Sequence, residues 1–277
     1  MRQLDAHQHF WIYTPEEYDW IDDEMAVLRR DFLPEDLEPV LHASGFAGSI
    51  AVQARQSVGE TIWLLDLARA NSFIRGVVGW VELCAPTVEA DLTELTRNKK
   101  LVGVRHVVQG EPDDEFVLRA DFQRGIALLE RFGLVYDLLL YLRHLRPATQ
   151  LVHAFPGQAF VLDHMAKPFI AKQELEPWAR EMRALAAAGN VACKLSGMVT
   201  EADWKGWKAE DFRPYLDVVL EAFGPERLMI GSDWPVCTVS CGHERATGIV
   251  RDYIGGLSAD EQAAILGGTC ARVYGVS

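Results

Sequence analysis

The sequence lacks any uninterrupted apolar stretch of about 18 residues, the length that a membrane-spanning helix needs. Its first residues, MRQLDAHQHFW, carry one arginine and no long apolar run, so no secretory signal is expected there. Positive charge is also scarce, because 27 Lys and Arg stand against 40 Asp and Glu, a net charge of -13. Such an acidic surface disfavours anionic partners, and the sequence predicts binding to neither nucleic acid nor membrane.

Cysteine is sparse, with five residues scattered along the chain: Cys84, Cys193, Cys237, Cys241 and Cys270. Cys237 and Cys241 are spaced C-x3-C, but no second pair completes a zinc site. We interpret the five as reduced cysteines of a cytoplasmic protein. Low-complexity stretches, charge blocks and Gly/Ser linkers are also missing, so a single domain over residues 1–277 is expected.

Short β-rich apolar runs alternate with segments of helical periodicity. The eight runs are Leu4–Trp11, Gly48–Ala54, Ile74–Leu83, Leu101–Val108, Leu134–Leu140, Ala159–Asp163, Val191–Ser196 and Leu228–Asp233. The helical segments include Glu60–Ala70, Asp121–Phe132, Trp178–Ala188 and Pro214–Phe223, and Ser258–Glu261 forms a capping box before a last helix. Eight strand–helix units predict an α/β fold, a (β/α)8 TIM barrel. The alternative is a doubly wound open sheet, but no G-x-G-x-x-G follows the first run.

In a TIM barrel the active site lies at the carboxyl ends of the strands. The first run carries Asp5, His7 and His9 in strict alternation, which places all three on one face of a strand. Two imidazoles so spaced can bind one metal ion or one substrate carboxylate. The sequence therefore predicts a functional site at the end of this strand.

Polar residues also end four later runs. The fourth ends with Arg105 and His106, the sixth with Asp163 and His164, the seventh with Lys194 and Ser196, and the eighth with Ser232 and Asp233. Together they predict a site, although Asp163 and Ser232 singly favour a structural role, because a charge after a buried strand is usually paired.

Weaker candidates end the second, third and fifth runs: Gln53, Arg55, Glu82, Tyr136 and Asp137. For these, substrate contact and structural hydrogen bonding are about equally favoured. Trp11, Trp80 and Trp234 either wall the pocket or fill the core. The remaining histidines are expected to face solvent, although His243 follows the eighth run closely enough to lie at the rim of the site: His42, His144, His153 and His243.

The pattern D-A-H-Q-H-F-W on the first strand, V-L-D-H on the sixth and G-S-D-W-P on the eighth resembles the amidohydrolase superfamily, in its amidohydrolase-2 branch. Further stretches resemble the sugar-acid lactonases of that branch, of the L-fuconolactonase type. They are Gly103–Gln109, Leu162–Pro168, Cys193–Gly197, Thr200–Trp204 and Gly267–Tyr274. The resemblance thus spans nearly the whole chain.

The resemblance implies a metal site made of His7, His9, His164 and Asp233, with Asp233 handling the water. Metal-rich members end the fifth strand with lysine or histidine, whereas this chain reads Val135-Tyr136-Asp137. A bridge of carboxylated lysine between two metals is therefore not expected. One divalent ion is implied, with zinc the expected one, although some lactonases of this branch work without metal.

The resemblance implies opening of a sugar lactone by water, with Asp233 as general base. His164, His106 and Arg105 complete the predicted catalytic set, and Lys194 is an additional donor. Gln53, Arg55, Glu82, Lys194, Trp11 and Trp234 are predicted to bind the substrate, and no G-x-S-x-G elbow suggests a serine nucleophile.

Rival functions stay open at this point. A decarboxylase of the same branch is one, although such enzymes resemble an E-x-H-x-H start and this chain has Asp5 there. Amide hydrolysis and a non-catalytic barrel that binds a sugar acid are others, and a homo-oligomer is compatible with all of them. The sequence does not specify which sugar lactone would bind.

Overall fold

A computed structural model describes residues 2–277. In this range eight strands form one sheet in sequence order, and each adjacent pair is parallel. The strands are β1 Leu4–Gln8, β2 Gly48–Val52, β3 Ile74–Gly79, β4 Leu101–His106, β5 Val135–Leu138, β6 Phe160–Leu162, β7 Val191–Leu195 and β8 Leu228–Ile230. Gln8 pairs with Trp234, just beyond β8, and the His9 amide donates to the Trp234 carbonyl at 2.7 Å. The sheet thereby closes, which confirms the predicted (β/α)8 barrel.

Helices follow the strands and form the outer layer. Within residues 2–277 they are α1 Pro34–Ala43, α2 Val58–Ala70, α3 Val88–Leu95, α4 Ala120–Phe132, α5 Leu145–Ala154, α6 Trp178–Ala186, α7 Ala209–Phe223, α8 His243–Ile254, α9 Ala259–Ala263 and α10 Thr269–Tyr274. Short 3-10 turns lie at Ala26–Leu28, Val108–Gly110, Phe116–Leu118, Leu142–His144, Ile170–Lys172, Pro225–Arg227 and Val236–Val239. None of the helices in the described residues is long and apolar enough to cross a membrane.

Two of the predicted helix ends are confirmed by their caps, whereas α7 begins at Ala209 instead of Pro214 and α6 ends at Ala186 instead of Ala188. Ser258 accepts from the Glu261 amide while Glu261 accepts from the Ser258 amide, which is the expected capping box. Gly133 ends α4 in the left-handed conformation at φ 68°, which glycine adopts without steric cost. The eight predicted strands all exist, and each is shorter than predicted, because residues at the ends of the apolar runs leave the sheet and enter the loops.

The barrel interior has an apolar layer at the level where the strands begin. Every strand contributes to it, and α10 covers it; the members are Leu4, Ala6, Ile50, Val52, Val78, Val102, Val135, Val161, Ala192, Met229, Cys270 and Tyr274. A larger apolar core fills the space between the barrel and the helices. Side chains that are not used for packing are therefore left at the carboxyl ends of the strands.

Candidate active site

Three histidines and one aspartate meet above the apolar layer. His7 is the next-to-last residue of β1 and His9 directly follows this strand, while His164 comes after β6 and Asp233 after β8. His7 Nε2 lies 3.1 Å from His9 Nε2, and Asp233 Oδ1 lies 3.5 Å from His9 Nε2, 3.7 Å from His7 Nε2 and 3.9 Å from His164 Nε2. All four side chains are buried. The loops after three strands therefore bring together the residues that the sequence pattern singled out.

Three of these side chains, those of His7, His164 and Asp233, are arranged so that they could hold a single metal ion. Ligand atoms about 2.0–2.1 Å from a tetrahedral zinc ion stand about 3.3 Å apart, close to the spacings seen here. Facing ligand atoms of His7, His164 and Asp233 all lie within 4.8 Å of one another. Nitrogen donors with one carboxylate are a donor set that zinc accepts.

The other ring nitrogen of each histidine is held by the protein. His9 Nδ1 donates to the Val52 carbonyl at 2.8 Å, and His164 Nδ1 lies 2.9 Å from Ser196 Oγ. His7 Nδ1 lies 3.3 Å from a carboxylate oxygen of Asp163. Such partners orient a ligating imidazole and direct its Nε2 toward the cluster.

Burial sets the charges within this cluster. It lowers the pKa of His164 to about 4 and the pKa of His7 well below its ordinary value, so both rings are neutral near pH 7. Burial alone would raise the pKa of Asp233, but the neighbouring histidines, His164 first, bring it well below its usual range. The cluster therefore combines nitrogen lone pairs with an ionised carboxylate.

A bulge in β1 explains how His7 reaches this cluster. Asp5 pairs with Ser49 but Gln8 pairs with Ala51, so β1 has one more residue than β2 between these pairings. The prediction that Asp5 shares a face with the two histidines is therefore wrong. Asp5 instead accepts hydrogen bonds from the Ser232 hydroxyl at 2.6 Å and the His7 amide at 3.1 Å.

Unusual backbone conformations position His164 and Asp233. Asp233 has φ 58°, and four consecutive residues, His164 to Lys167, have φ between 50° and 54°. Left-handed backbone costs about 1–2 kcal/mol per non-glycine residue, so the surrounding structure must hold this turn. Trp178 contributes by donating from Nε1 to the Met165 carbonyl at 2.7 Å. Backbone of this kind concentrates at functional sites.

A buried charged network lies directly beneath the histidines. Lys194 Nζ donates to Asp137 Oδ2 at 2.5 Å and lies 2.9 Å from Asp163 Oδ1 and 3.2 Å from His7 Nδ1. Arg105 Nη1 donates to Asp163 Oδ2 at 2.9 Å and lies 3.4 Å from His7 Nε2. Burial lowers the pKa of Lys194, but the two carboxylates outweigh it and raise that pKa. Lys194 and Arg105 therefore act as fixed cations on either side of Asp163.

A cavity of about 580 Å³ opens above the cluster, within the range of pockets that hold small molecules. Six of the residues that the sequence nominated line it: His9, Trp11, Arg55, Arg105, His164 and Asp233. The Arg55 guanidinium is held in an ion pair with Glu17, and Trp11 Nε1 donates to the Arg30 carbonyl at 2.9 Å. The cavity is thus lined by the histidine–aspartate cluster at its floor and by aromatic side chains and two arginines around it.

The other nominated residues lie away from the cavity lining. His106 is buried, with Nε2 2.7 Å from Glu111 Oε1 and its ring stacked on Phe116. Glu82 is exposed and accepts from the Cys84 amide. Trp80 and Tyr136 are likewise absent from the cavity lining, and the Tyr136 ring is fully buried against Phe122. The structure therefore brings none of these four candidates to the cluster.

Three more nominated residues support the site from behind it. Gln53 accepts from Arg105 Nη2 at 3.0 Å, and Lys194 belongs to the network described above. Trp234 packs edge-on against Phe10 and Phe32, with ring centroids 6.2 and 5.3 Å away. Gln53 thus holds Arg105, which lines the cavity, whereas Lys194 and Trp234 contact residues one layer behind the lining.

Several lining residues were not nominated from the sequence. They come from the segment before α1 and from the loops after β4, β5, β6 and β7: Glu17, Asp19, Trp20, Met25, Gln109, Tyr141, Lys167, Thr200 and Glu201. Lys167, Thr200 and Glu201 stand in stretches whose resemblance to the lactonases was noted, which is the signal that could have identified them. The segment before α1 carries no periodic pattern that would direct it to the cavity.

Two predictions about the remaining histidines are wrong. His144 and His243 are buried, whereas His42 and His153 are exposed as expected. His243 Nε2 lies 3.1 Å from Asp5 Oδ2, so α8 is tied to the bulged strand. Spacing alone could not reveal this pairing, because the two residues are far apart in the chain.

Comparisons with known proteins agree with this geometry. The family model described as amidohydrolase matches residues 4–276. L-fucono-1,5-lactonase of Burkholderia multivorans is 44% identical over 98% of this chain and 95% of its own, and L-fucono-1,5-lactonase of Burkholderia ambifaria is 37% identical over 99% and 92%. The crystal structure of an amidohydrolase from Burkholderia multivorans with bound zinc covers 100% of both chains at 44% identity and a TM-score of 0.96. This chain therefore belongs to the amidohydrolase family.

Proposed function

We propose that this protein hydrolyses the lactone ring of a sugar acid, with L-fucono-1,5-lactone as the first substrate to test. The observation that carries the proposal is the placement of the Asp233 carboxylate within 3.9 Å of three imidazole nitrogens at the floor of a cavity. The two L-fucono-1,5-lactonases at 44% and 37% identity support this choice of substrate. The free state of all five cysteines supports a cytoplasmic location.

Asp233 acts as the general base in this mechanism. Its carboxylate is ionised near neutral pH and accepts a proton from the attacking water, whose oxygen adds to the lactone carbonyl carbon. The tetrahedral intermediate then breaks the bond between this carbon and the ring oxygen. The protonated Asp233 returns the proton to that oxygen, which becomes a hydroxyl of the open-chain acid.

Fixed positive charge stabilises the oxyanion. The Arg105 guanidinium lines the cavity and is anchored by Asp163 and Gln53, so it does not need to reorganise during the reaction. His7, His9, His164 and Asp233 would hold a divalent metal ion, for which zinc fits the donor set best. When bound, such an ion supplies Lewis acidity and lowers the pKa of a water ligand.

The first experiment follows acid release with a pH indicator while the protein meets a panel of L- and D-aldonolactones. Spontaneous ring opening is subtracted from each rate. Hydrolysis of L-fucono-1,5-lactone is the expected result. Comparing the rate with added zinc to the rate after chelation shows whether a metal is required. If no lactone is hydrolysed above the spontaneous rate with zinc supplied, the proposal is contradicted. Decarboxylation and amide hydrolysis would then be tested.

Asp233→Asn tests the assignment of the base. Because asparagine cannot accept the proton, we expect kcat to fall by at least about 10³-fold. Circular dichroism and the thermal unfolding midpoint should stay close to those of the wild type, which separates a chemical defect from misfolding. Asp260→Asn on α9, far from the site, serves as the control. Turnover near the wild-type value in Asp233→Asn would refute this role.

A further inference from the structure

Lys167 and Glu201 form a pair in the cavity wall that the catalytic proposal does not use. Lys167 follows β6 and Glu201 follows β7, and both line the cavity together with His164 and Asp233. Their side chains are 18% and 23% exposed, respectively. They are therefore largely withdrawn from solvent and face the space that a substrate would fill.

The hydrogen-bonding capacity of this pair is not satisfied within the protein. Lys167 Nζ lies 3.8 Å from Glu201 Oε1, which is too long for a hydrogen bond. Among residues 2–277, neither side chain makes a hydrogen bond to another protein group, and the nearest aromatic ring to Lys167 Nζ, that of Tyr141, is centred 5.4 Å away. A partly buried ion pair in this state has donors and acceptors left for a ligand.

Other charged residues in the cavity differ from this pair. Arg55 is engaged by Glu17, and Arg105 donates to Asp163 and Gln53. Protein acceptors thus hold both guanidinium groups in place, although the buried Nε of each has no partner. The side chains of Lys167 and Glu201, by contrast, hydrogen-bond to no protein group within residues 2–277, so both ends of this pair are open to a ligand. Burial raises the pKa of Glu201, with nearby Lys167 opposing this effect, and a ligand that donates a hydrogen bond would compensate for the burial.

The backbone fixes Lys167 relative to the catalytic cluster. The left-handed turn from His164 to Lys167 is closed by a hydrogen bond from the Lys167 amide to the His164 carbonyl at 2.8 Å. Glu201 is fixed from the next loop, because its carbonyl accepts from the Ala171 amide at 2.9 Å. The distance between the pair and the cluster is thus set by short, well-anchored segments.

We propose that Lys167 and Glu201 together bind one ring hydroxyl of the substrate, which accepts a hydrogen bond from Nζ and donates one to Oε1. An oxygen about 2.8 Å from each atom fits in the 3.8 Å gap. The pair therefore selects hydroxylated lactones over unsubstituted ones, and this inference rests on the proposed lactone hydrolysis. Lys167 and Glu201 are specificity-determining residues in this view, distinct from the groups that perform the chemistry.

The test combines variants with substrates that each lack one hydroxyl. Glu201→Gln and Lys167→Met are assayed on L-fucono-1,5-lactone and on its 2-deoxy, 3-deoxy and 4-deoxy analogues. We expect each variant to lower kcat/KM on the full substrate by about 10- to 100-fold, mainly through KM. On one of the three analogues the wild type should show a similar loss, and the variants should add little to it, since the hydroxyl and its partners act as a unit.

Lys172→Met and Glu174→Gln provide matched controls, because both residues are exposed and lie after β6, as Lys167 does. They should behave like the wild type on all four lactones. Lys167→Arg and Glu201→Asp, with circular dichroism, guard against a failure to fold and should retain part of the selectivity.

Two results would overturn the subsite alone while the wild type opens the sugar lactone. One is unchanged kcat/KM in Glu201→Gln and Lys167→Met. The other is the same loss on the full substrate and on every analogue, which would indicate a general effect on catalysis. If the wild type opens no sugar lactone at all, the proposed function fails and this inference fails with it.

Discussion

The barrel interior contains two layers that are built from the same strands but differ in the chemistry of their side chains. The lower layer holds aliphatic side chains such as Ile50 and Val161, and the upper layer holds Asp137, Asp163 and Lys194, all fully buried. Burial of the apolar side chains in the lower layer stabilises the folded state. Burial of the charges in the upper layer costs hydration free energy, which only their pairing can compensate. At the carboxyl ends of the strands, charged side chains therefore take the place of apolar ones. They stabilise the fold less by burial, but they position the histidines.

The largest expected effect comes from breaking the charged layer. Lys194→Met leaves Asp137 and Asp163 without their shared cation, so the free energy of unfolding should fall by about 3–5 kcal/mol. Urea denaturation measures this loss. The double variant Lys194→Met, Asp137→Asn removes charge as a pair and should recover part of the stability. A single variant as stable as the wild type would show that the charges do not depend on one another.

A smaller effect is expected where the two layers meet. Tyr274 of α10 packs in the apolar layer, and its hydroxyl donates to the Asp137 carboxylate, 2.9 Å from each oxygen. Tyr274→Phe keeps the packing but removes this donor, which should cost about 1–3 kcal/mol of unfolding free energy. Tyr253→Phe on α8 is the control, because it removes a hydroxyl that donates to the Asp217 carboxylate at 2.8 Å in a solvent-exposed setting, where the loss should be smaller. Equal stabilities of the two variants would mean that Asp137 does not need the hydroxyl.

The smallest effect is expected within the apolar layer. Ile50→Val removes one buried methylene group, and the unfolding free energy should fall by about 0.5–1.5 kcal/mol. The kcat on the preferred lactone should stay within about twofold of the wild type, because no polar group has moved. A large loss of kcat in this variant would show that packing in the apolar layer controls the positions of the polar groups above it.

Local patterns predicted most of what depends on neighbours in the chain. The alternation of apolar runs with amphipathic segments indicated eight strand–helix units, and the polar residues at the strand ends indicated the face that carries the site. His7, His9, His164 and Asp233 do converge in the structure, as their positions at strand ends suggested. Their roles in metal binding and catalysis stay predictions.

Other features depended on contacts between distant segments. The bulge in β1 turned Asp5 away from His7, and α8 supplied His243 to pair with Asp5. Lys194 ends a strand as a substrate-binding residue would, yet Asp137 and Asp163 surround it.

The sequence by itself determined the repeating α/β architecture and the end of the barrel where chemistry is possible, since periodicity and strand ends are local properties. Only the tertiary structure decided which polar side chains reach the cavity and which serve as its foundation. The same residue types appear in both roles, and a charge is assigned to one or the other by the partners that fold against it. Lys167 and Lys194 illustrate this: each follows or ends an apolar strand, but one faces open space and the other is enclosed by carboxylates.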